Sequence, residues 1–354
     1  MVDSQDGNGR RAARTTIRDV AADLGVSVAT VSRVLNGRPD VSPATREAVL
    51  RHMRERGYSG NRTARGLAGG RTGLIGLALP FVHAAYFGLI SAGAAEALAE
   101  CDARLVLCLT EHQHDREVTL LDRMMHGTTD GGLILLPSET SAELIQLREQ
   151  GYHFVIIDPM VPLDESLPVV SAAHWQGARM ATEHLIALGH RRIGVITGHP
   201  TWVASIERLA GFQAAMASAG LRVQPELIYH GDWYVEAGVA GANYLLDLPD
   251  PPTAIFAFND NMAIGVMQVA RQRGLRLPRD LSVVGVDDID MAACLTPPLT
   301  TVRQPLLEMG RVAAGLLWRL IQGQPVEITR LELATRLIVR DSTAPPPAST
   351  RSRG

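Results

Sequence analysis

The sequence lacks any segment that would place the protein in or across a membrane. No apolar run reaches the ~18 residues that a membrane-spanning helix needs. The first fourteen residues are polar and contain arginines, unlike a secretory signal peptide. We therefore expect the protein to stay in the cytoplasm.

Cysteine is also scarce. The three cysteines form no Cys-x-x-Cys pair, and both a disulfide framework and a zinc knuckle need paired thiols. The sequence therefore predicts small buried hydrophobic side chains at Cys101, Cys108 and Cys294, and no metal or other cofactor.

The composition is that of a folded protein with two or three domains. Hydrophobic residues make up 46% of the 354 residues and charged residues 20%, whereas disordered chains lack this apolar content. The formal charge of −3 hides an asymmetry, because residues 1–72 hold 13 arginines against 7 acidic residues while the remainder carries −9. A basic first segment is what phosphate binding requires.

Three helix starts follow one another in the first sixty residues. Thr16 with Asp19 forms a capping-box pattern, and Gly25 supplies the positive φ that ends a helix. Ser27 begins a second helix, and Ser42, followed by proline, begins a third that ends near residue 57. Two short helices across a glycine-containing turn predict a helix-turn-helix, although a plain three-helix bundle has the same signals.

The segment TIRDVAADLGVSVATVSRVLNGRPDVSPATREAVLRHMRERGYSGNRTARGLAGG closely resembles the DNA-binding head of the lactose/galactose repressor family. The likeness continues to about Arg340. It implies that the second helix enters the major groove, where arginine grips guanine and small apolar side chains meet a thymine methyl. The implied base contacts come from Val28, Ala29 and Arg33, and the implied phosphate or backbone contacts from Thr16, Ser27, Thr30, Ser32 and Asn36.

The resemblance also assigns residues 60–71 to a hinge that becomes helical on DNA. Leu67 matches the leucine that wedges into the minor groove, and Asn61, Arg62 and Ala64 match residues that face the groove. Without the resemblance, this stretch is a flexible linker. One head buries too little surface for tight binding, so we expect a homodimer on a palindromic operator.

From Gly73 onward, short apolar runs such as LIGLAL, GGLILL, RIGVIT and SVVGV alternate with amphipathic helical stretches. This rhythm predicts α/β structure with doubly wound parallel sheets in two halves, and the resemblance implies a two-lobed body like a periplasmic binding protein. The predicted segments are a disordered basic tail 1–14, a DNA-binding domain 15–59, the hinge, an effector-binding and dimerisation domain 72–340, and a disordered tail 341–354. Lobe one is predicted as 73–172 with 302–324, and lobe two as 173–300 with 325–340.

Ligands of such sheets bind outside the carboxyl ends of the strands. Asp158, Asn259 and Asp287 close predicted strands, and the resemblance adds a planar tryptophan and a forked donor suited to a sugar. A loop with Phe81, Tyr86 and Phe87 serves either stacking or ordinary packing. The predicted effector contacts are Tyr86, Phe87, Asp158, Arg208, Trp233, Asn259, Asp287 and Gln304.

The sequence gives less support to a catalytic or metal-binding role for these and neighbouring residues. Asp287, Asp288 and Asp290 are too close in sequence for the carboxylates of a glycosidase, and Asp260 and Asp288 are candidate helix caps. His112, His114 and His126 lack a second metal-ligand pair.

We therefore expect a non-enzymatic transcriptional repressor that a mono- or oligosaccharide releases from DNA. The alternatives are a repressor that needs a corepressor, an exported sugar-binding protein, and a sugar-active enzyme. The final segment carries no leucine heptads, so a dimer is expected rather than a tetramer.

Overall fold

The computed structural model describes residues 15–35, 40–56, 71–82 and 84–347. The chain divides into two compact units at the Arg71–Thr72 junction. In the described part of the chain, no helix is long and apolar enough to cross a membrane. The predicted contacts Asn36, Asn61, Arg62, Ala64 and Leu67 lie outside the described residues.

The described residues of the first unit form three helices, α1 (Ile17–Asp23), α2 (Val28–Leu35) and α3 (Pro43–Glu55). The predicted capping box at Thr16 is present, and Gly25 has a φ of 65° after α1. Ser27 and Ser42 accept backbone N–H bonds at the starts of α2 and α3. The helices bury Val20, Ala21, Val31, Val34, Val49 and Met53. The predicted helix-turn-helix is therefore confirmed.

The second unit alternates strands and helices. Its elements in chain order are β1 (Leu74–Leu79), α4 (Ala85–Glu100), β2 (Arg104–Leu109), α5 (His114–Arg123), a π-helical turn (Met124–Thr128), β3 (Gly131–Leu135), α6 (Ser141–Glu149), β4 (Phe154–Ile157), β5 (Val169–Ala172), α7 (His174–Ala187), β6 (Ile193–Thr197), α8 (Val203–Ser218), a 3-10 turn (Pro225–Leu227), β7 (Ile228–His230), α9 (Val235–Leu246), β8 (Ala254–Ala257), α10 (Asp260–Gln272), β9 (Ser282–Asp287), α11 (Asp290–Cys294), β10 (Thr300–Arg303), α12 (Leu306–Ile321), β11 (Arg330–Leu333) and β12 (Arg336–Ile338).

These strands form two six-stranded sheets, one in each lobe. The first sheet has the order β11-β5-β4-β3-β1-β2 and is parallel throughout. The second has the order β12-β10-β9-β8-β6-β7, in which only β12 is antiparallel to its neighbour. Helices cover the sheets, as the alternating pattern predicted. The α/β fold class is confirmed.

Helices α4 and α12 pack together over the first sheet at two glycines. A Cβ on Gly93 would overlap the carbonyl of Leu307, and one on Gly310 would overlap the carbonyl of Ile90. Residues without a side chain at these points let the two backbones approach closely. This contact attaches α12, which is far along the chain, to the core of the first lobe.

The predicted lobe boundaries need correction near the C-terminus. Thr300–Arg303 pairs wholly within the second sheet, although residues 302–324 were assigned to lobe one. Arg330–Leu333 pairs in parallel with β5 of the first sheet, although residues 325–340 were assigned to lobe two. The chain thus crosses between the lobes after β5, after β10 and after β11. A short half-exposed strand carries no local signal for the sheet it joins.

The predicted disorder of residues 341–354 is wrong for 341–347. The Ser342 side chain is fully buried, donates to the carbonyl of Val283 at 2.6 Å and accepts the N–H of Thr300 at 2.8 Å. His190 Nε2 donates to the carbonyl of Ala344 at 2.9 Å. A proline-rich composition does not reveal such partners, because the unpaired backbone groups lie at the ends of distant strands.

Replacing Ser342 with Ala is expected to lower the free energy of unfolding by ~1–3 kcal/mol, because Thr300 N–H and Val283 carbonyl lose a buried partner. Urea denaturation followed by circular dichroism measures the loss. The control is Asp341→Asn at the neighbouring exposed position. Equal stability of both variants would show that the Ser342 hydroxyl contributes nothing to the fold.

Candidate functional site

A cavity of about 630 Å³ lies at the carboxyl ends of the strands of both sheets. First-lobe residues follow β1, β2, β3 and β4, and second-lobe residues follow β6, β7, β8, β9 and β10. All of the predicted effector contacts line this cavity, namely Tyr86, Phe87, Asp158, Arg208, Trp233, Asn259, Asp287 and Gln304. The structure thus brings the predicted set together in one place.

A buried chain of hydrogen bonds joins the two lobes at the cavity wall. In the first lobe, Tyr86 Oη donates to Asp158 Oδ2 at 2.5 Å. From the second lobe, His174 Nε2 lies 2.6 Å from Asp158 Oδ1. Arg208 Nη2 donates to His174 Nδ1 at 3.1 Å, and Arg208 Nη1 donates to the carbonyl of Phe258. Because a guanidinium can only donate, Nδ1 accepts, and Nε2 therefore carries the proton that it shares with Asp158.

This chain keeps Asp158 ionised. Burial favours the neutral carboxyl, but the hydrogen bonds from His174 and Tyr86 and the charge of Arg208 hold the pKa of Asp158 below its ordinary value. Burial and the neighbouring Asp158 raise the pKa of Tyr86 well above its ordinary value. Both carboxylate oxygens of Asp158 are therefore engaged within the protein.

Asp287 lies in a different electrostatic environment on the second-lobe wall. Burial raises its pKa to about 6, although the Arg208 charge and the Gln304 hydrogen bond oppose the shift. Gln304 Nε2 donates to Asp287 Oδ1 at 2.6 Å. The backbone is also strained, with a φ of 117° at Asp287 and 79° at Trp233. Such strain in non-glycine residues is concentrated at binding sites.

Three buried polar atoms of cavity-lining residues have no hydrogen-bond partner among the described residues. They are Arg208 Nε, Trp233 Nε1 and Gln304 Oε1. An unpaired buried polar atom is costly unless a ligand satisfies it. Two donors beside one acceptor match a hydroxyl-rich ligand, because each hydroxyl both donates and accepts.

Asn259 positions Trp233. Asn259 Oδ1 accepts the N–H of Met262 at 2.8 Å and so caps α10, while Nδ2 donates to the carbonyl of Trp233 at 2.8 Å. The guanidinium carbon of Arg208 stands 5.4 Å from the centre of the Trp233 ring, within the range of a cation–π contact. The indole is thus held against the charged wall of the cavity.

Several aromatic or imidazole side chains at this site were not predicted as effector contacts, among them Trp202, His199 and Tyr234 in the cavity lining and His174, which bonds with Asp158 and Arg208. His174 opens α7 directly after the first lobe, and Trp202 and His199 follow β6. Trp202 lies 5.8 Å from Trp233, measured between ring centres. The strand-end rule that selected Asp158 also applies to the GHPTW segment after β6, so the signal for Trp202 was present.

The other aspartates near the second sheet have structural partners. Asp260 accepts from Thr301 Oγ1 at 2.6 Å and from the N–H of Ile289 at 3.0 Å. Asp288 pairs with Arg303 and Arg340, each at 2.6 Å. The predicted helix caps at Asp260 and Asp288 are therefore wrong, because Asn259 occupies the N-cap of α10 and Ile289 that of α11.

The histidines considered as metal ligands lie apart from one another. His112 contacts the rings of Phe81 and Trp202. His114 pairs with Glu143, and His126 pairs with Asp122. Among the described residues there is no group of three or more side chains that could hold a metal ion.

In the first unit, α2 presents its predicted base-contacting residues to solvent. Val28, Ala29 and Arg33 are exposed, with 43% of Val28 accessible. Arg33 Nε lies 3.4 Å from Asp40 Oδ2, and both side chains are more than half exposed. The hydroxyls predicted to anchor phosphate act as caps or neighbours of caps in the structure, at Thr16, Ser27 and Thr30, while Ser32 is half-buried.

The chain is similar to known proteins over almost its whole length. Residues 16–61 match the family described as bacterial regulatory proteins, lacI family, and residues 182–343 match a periplasmic binding protein-like domain. The HTH-type transcriptional regulator CelR of Thermobifida fusca is 39% identical over 342 residues, which cover 94% of this chain and 99% of the relative.

Two solved structures share the fold. A complex of the regulator CelR with cellobiose is 37% identical, has a TM-score of 0.71 and matches 93% of this chain and 100% of its own. A Lac repressor dimer bound to operator and the anti-inducer ONPF is 31% identical, has a TM-score of 0.83 and matches 93% of this chain and 99% of its own.

Replacing Asp287 with Asn is expected to stabilise the protein at pH 7. The folded-state pKa of about 6 lies above the ordinary 3.8, so folding becomes less favourable as pH rises through this interval, by ~3 kcal/mol in total. Urea denaturation at pH 7 should show a gain of up to ~3 kcal/mol that disappears below pH 4. Asp288→Asn is the control and should lose stability, because it breaks two ion pairs. A loss in the Asp287 variant would contradict the assigned environment.

Proposed function

This chain belongs to the lacI family of bacterial regulatory proteins, and we propose that it is a transcriptional repressor that a small sugar releases from a palindromic operator. The observation that carries the proposal is the combination of a helix-turn-helix unit with a two-lobed unit whose cleft has unpaired donors and an acceptor. The similar proteins include a regulator bound to cellobiose and a repressor dimer bound to operator. A protein that binds chromosomal DNA acts in the cytoplasm.

The DNA-binding surface is the exposed side of α2. Arg33 supplies two parallel donors for a guanine, while Val28 and Ala29 supply apolar contacts for a thymine methyl. The Arg33–Asp40 pair is largely exposed, so its contribution to stability is small and a base can replace Asp40. The hinge contacts of Asn61, Arg62, Ala64 and Leu67 and the backbone contact of Asn36 are part of this proposal.

The first sheet supports a homodimer. Its outermost strand, β2, exposes Val106, Leu107 and Leu109, each by 36–47%. An exposed apolar strand at a sheet edge is a surface for pairing with another chain. A second copy on this edge would cover the apolar side chains and supply the second head that a palindrome requires.

The cleft supports ligand binding rather than catalysis. Glycoside hydrolysis needs two available carboxyl groups across the reacting bond. In this cavity both oxygens of Asp158 are engaged by Tyr86 and His174, and Asp287 Oδ1 accepts from Gln304. These hydrogen bonds favour a role for the two aspartates in binding, and we propose that the protein binds its sugar without turning it over.

Release of the operator requires that a change in the angle between the two lobes is transmitted to the first residues of the two-lobed body. Asp130, just before β3, accepts from the N–H of Thr72 at 2.6 Å, from its hydroxyl at 2.8 Å and from the N–H of Gly73 at 2.7 Å. These are the first residues after the predicted hinge. A change in the first lobe is thus transmitted to the chain where it leaves the body. The sugar must bind the released form better, by the ~1–3 kcal/mol usual for allosteric coupling.

Arg33→Ala is expected to weaken binding to the selected operator by ~10–100-fold, because it removes one bidentate base contact. Binding to random duplex should change much less. The control is Arg51→Ala on α3, which removes the same charge and should affect both duplexes alike. Fluorescence anisotropy at fixed salt, on duplexes selected by the purified protein, gives both affinities. Equal losses on both duplexes with Arg33→Ala would exclude a base-reading role.

Titrating sugars into the operator complex separates induction from corepression. A mono- or oligosaccharide that lowers the operator affinity supports the proposed release. A ligand that raises it would instead indicate a corepressor, and turnover of a sugar would restore the enzyme alternative.

Asp130→Asn is expected to leave sugar affinity within about twofold while weakening the operator affinity ~5–10-fold. Asn presents one acceptor oxygen to three donors, so the start of the body is less well fixed. Asp122→Asn, on the exposed side of α5, is the control. Unchanged operator affinity would show that this carboxylate has no part in transmission.

A further inference from the structure

The cleft has a polar inner part and an aromatic mouth. Arg208, Gln304, Asp158 and Asn259 are at most 6% exposed, and Asp287 is 8% exposed. By contrast, Phe81 and Trp202 are partly exposed, and His112 and His199 are exposed. The unpaired polar atoms belong to the inner part and to Trp233 at its boundary. One ring of a carbohydrate in the inner part would satisfy them and leave the mouth unused.

Trp202 connects the aromatic residues of the mouth. Its ring centre lies 5.7 Å from His112, 6.1 Å from His199 and 5.8 Å from Trp233, with only 33° between the two indole planes. Phe81 continues the row at 5.3 Å from His112. The neighbouring tilted rings present apolar faces at the mouth, on which the CH faces of sugar rings can lie.

On the basis of the proposed function, we propose that Trp202 is the platform for a second sugar ring and that the effector is a disaccharide. The inner ring lies against Trp233 and hydrogen-bonds with Arg208 Nε, Gln304 Oε1 and Asp287. The outer ring lies on Trp202 with His112 at its side.

The second ring also has a consequence for release. Phe81 and His112 follow strands of the first sheet, whereas His199 and Trp202 follow β6 of the second. An outer ring therefore contacts both lobes at the mouth. A ligand shifts an equilibrium only through contacts that differ between the two states, so the disaccharide should release the operator more completely than its component monosaccharide.

Isothermal titration of the full-length protein with cellobiose, lactose, maltose, glucose and galactose tests the proposal. We expect at least one disaccharide to bind at least tenfold more tightly than its component monosaccharides. Trp202→Ala should lower that disaccharide's affinity ~10–30-fold and the monosaccharide affinity less than threefold, whereas Trp202→Phe should retain most of it. Trp175→Ala, an indole on α7 outside the cleft, is the control.

The outcomes separate this proposal from the proposed function. If a monosaccharide binds as tightly as every disaccharide, or if Trp202→Ala weakens both alike in a variant with unchanged thermal unfolding, the second-ring platform is wrong and sugar-dependent release still stands. If no sugar of either length binds at millimolar concentration, both the platform and the sugar effector are wrong.

Discussion

The buried carboxylate of Asp158 is the constraint on which the cleft depends. It belongs to the first lobe, but one of its two donors, His174, and the arginine behind that donor belong to the second. A buried charge that loses its partners is strongly destabilising. The two lobes therefore cannot separate here without exposing Asp158 or removing its hydrogen-bond donors. Hydrogen bonding, and not the sheets alone, thus sets the relative position of the two sides of the cleft.

Because these hydrogen bonds fix the two sides of the cleft, other polar atoms in it can remain without hydrogen-bond partners. Arg208 uses its terminal nitrogens to hold His174 and Phe258, which leaves Nε as an unpaired donor in the cavity. Asp287 and Gln304 satisfy each other only in part, so both keep an oxygen for a ligand. The unpaired polar atoms that face the ligand thus lower the stability of the protein, and interactions elsewhere compensate, as expected of a binding site. The ligand completes the site, and its contacts on both lobes bias their angle.

Much of this was predictable from the sequence because carboxyl ends of parallel strands meet at one edge. Asp158, Asn259 and Asp287 were found by that rule, and the resemblance placed Arg208, Trp233 and Gln304 beside them. Trp202 was missed although the same rule applies, and His174 was missed because nothing local shows that it reaches across to Asp158. The pairing of β11 and the burial of Ser342 depend on partners more than 40 residues away, so neither composition nor periodicity could predict them.

Under the proposed function, one equilibrium links the cleft to the DNA-binding head, and thermodynamic linkage makes this coupling directly measurable. The affinity of the effector sugar should be determined for the free protein and for the protein saturated with operator. We expect weaker sugar binding in the operator complex, by the same factor by which saturating sugar weakens operator binding. Identical sugar affinities in the two states would contradict it.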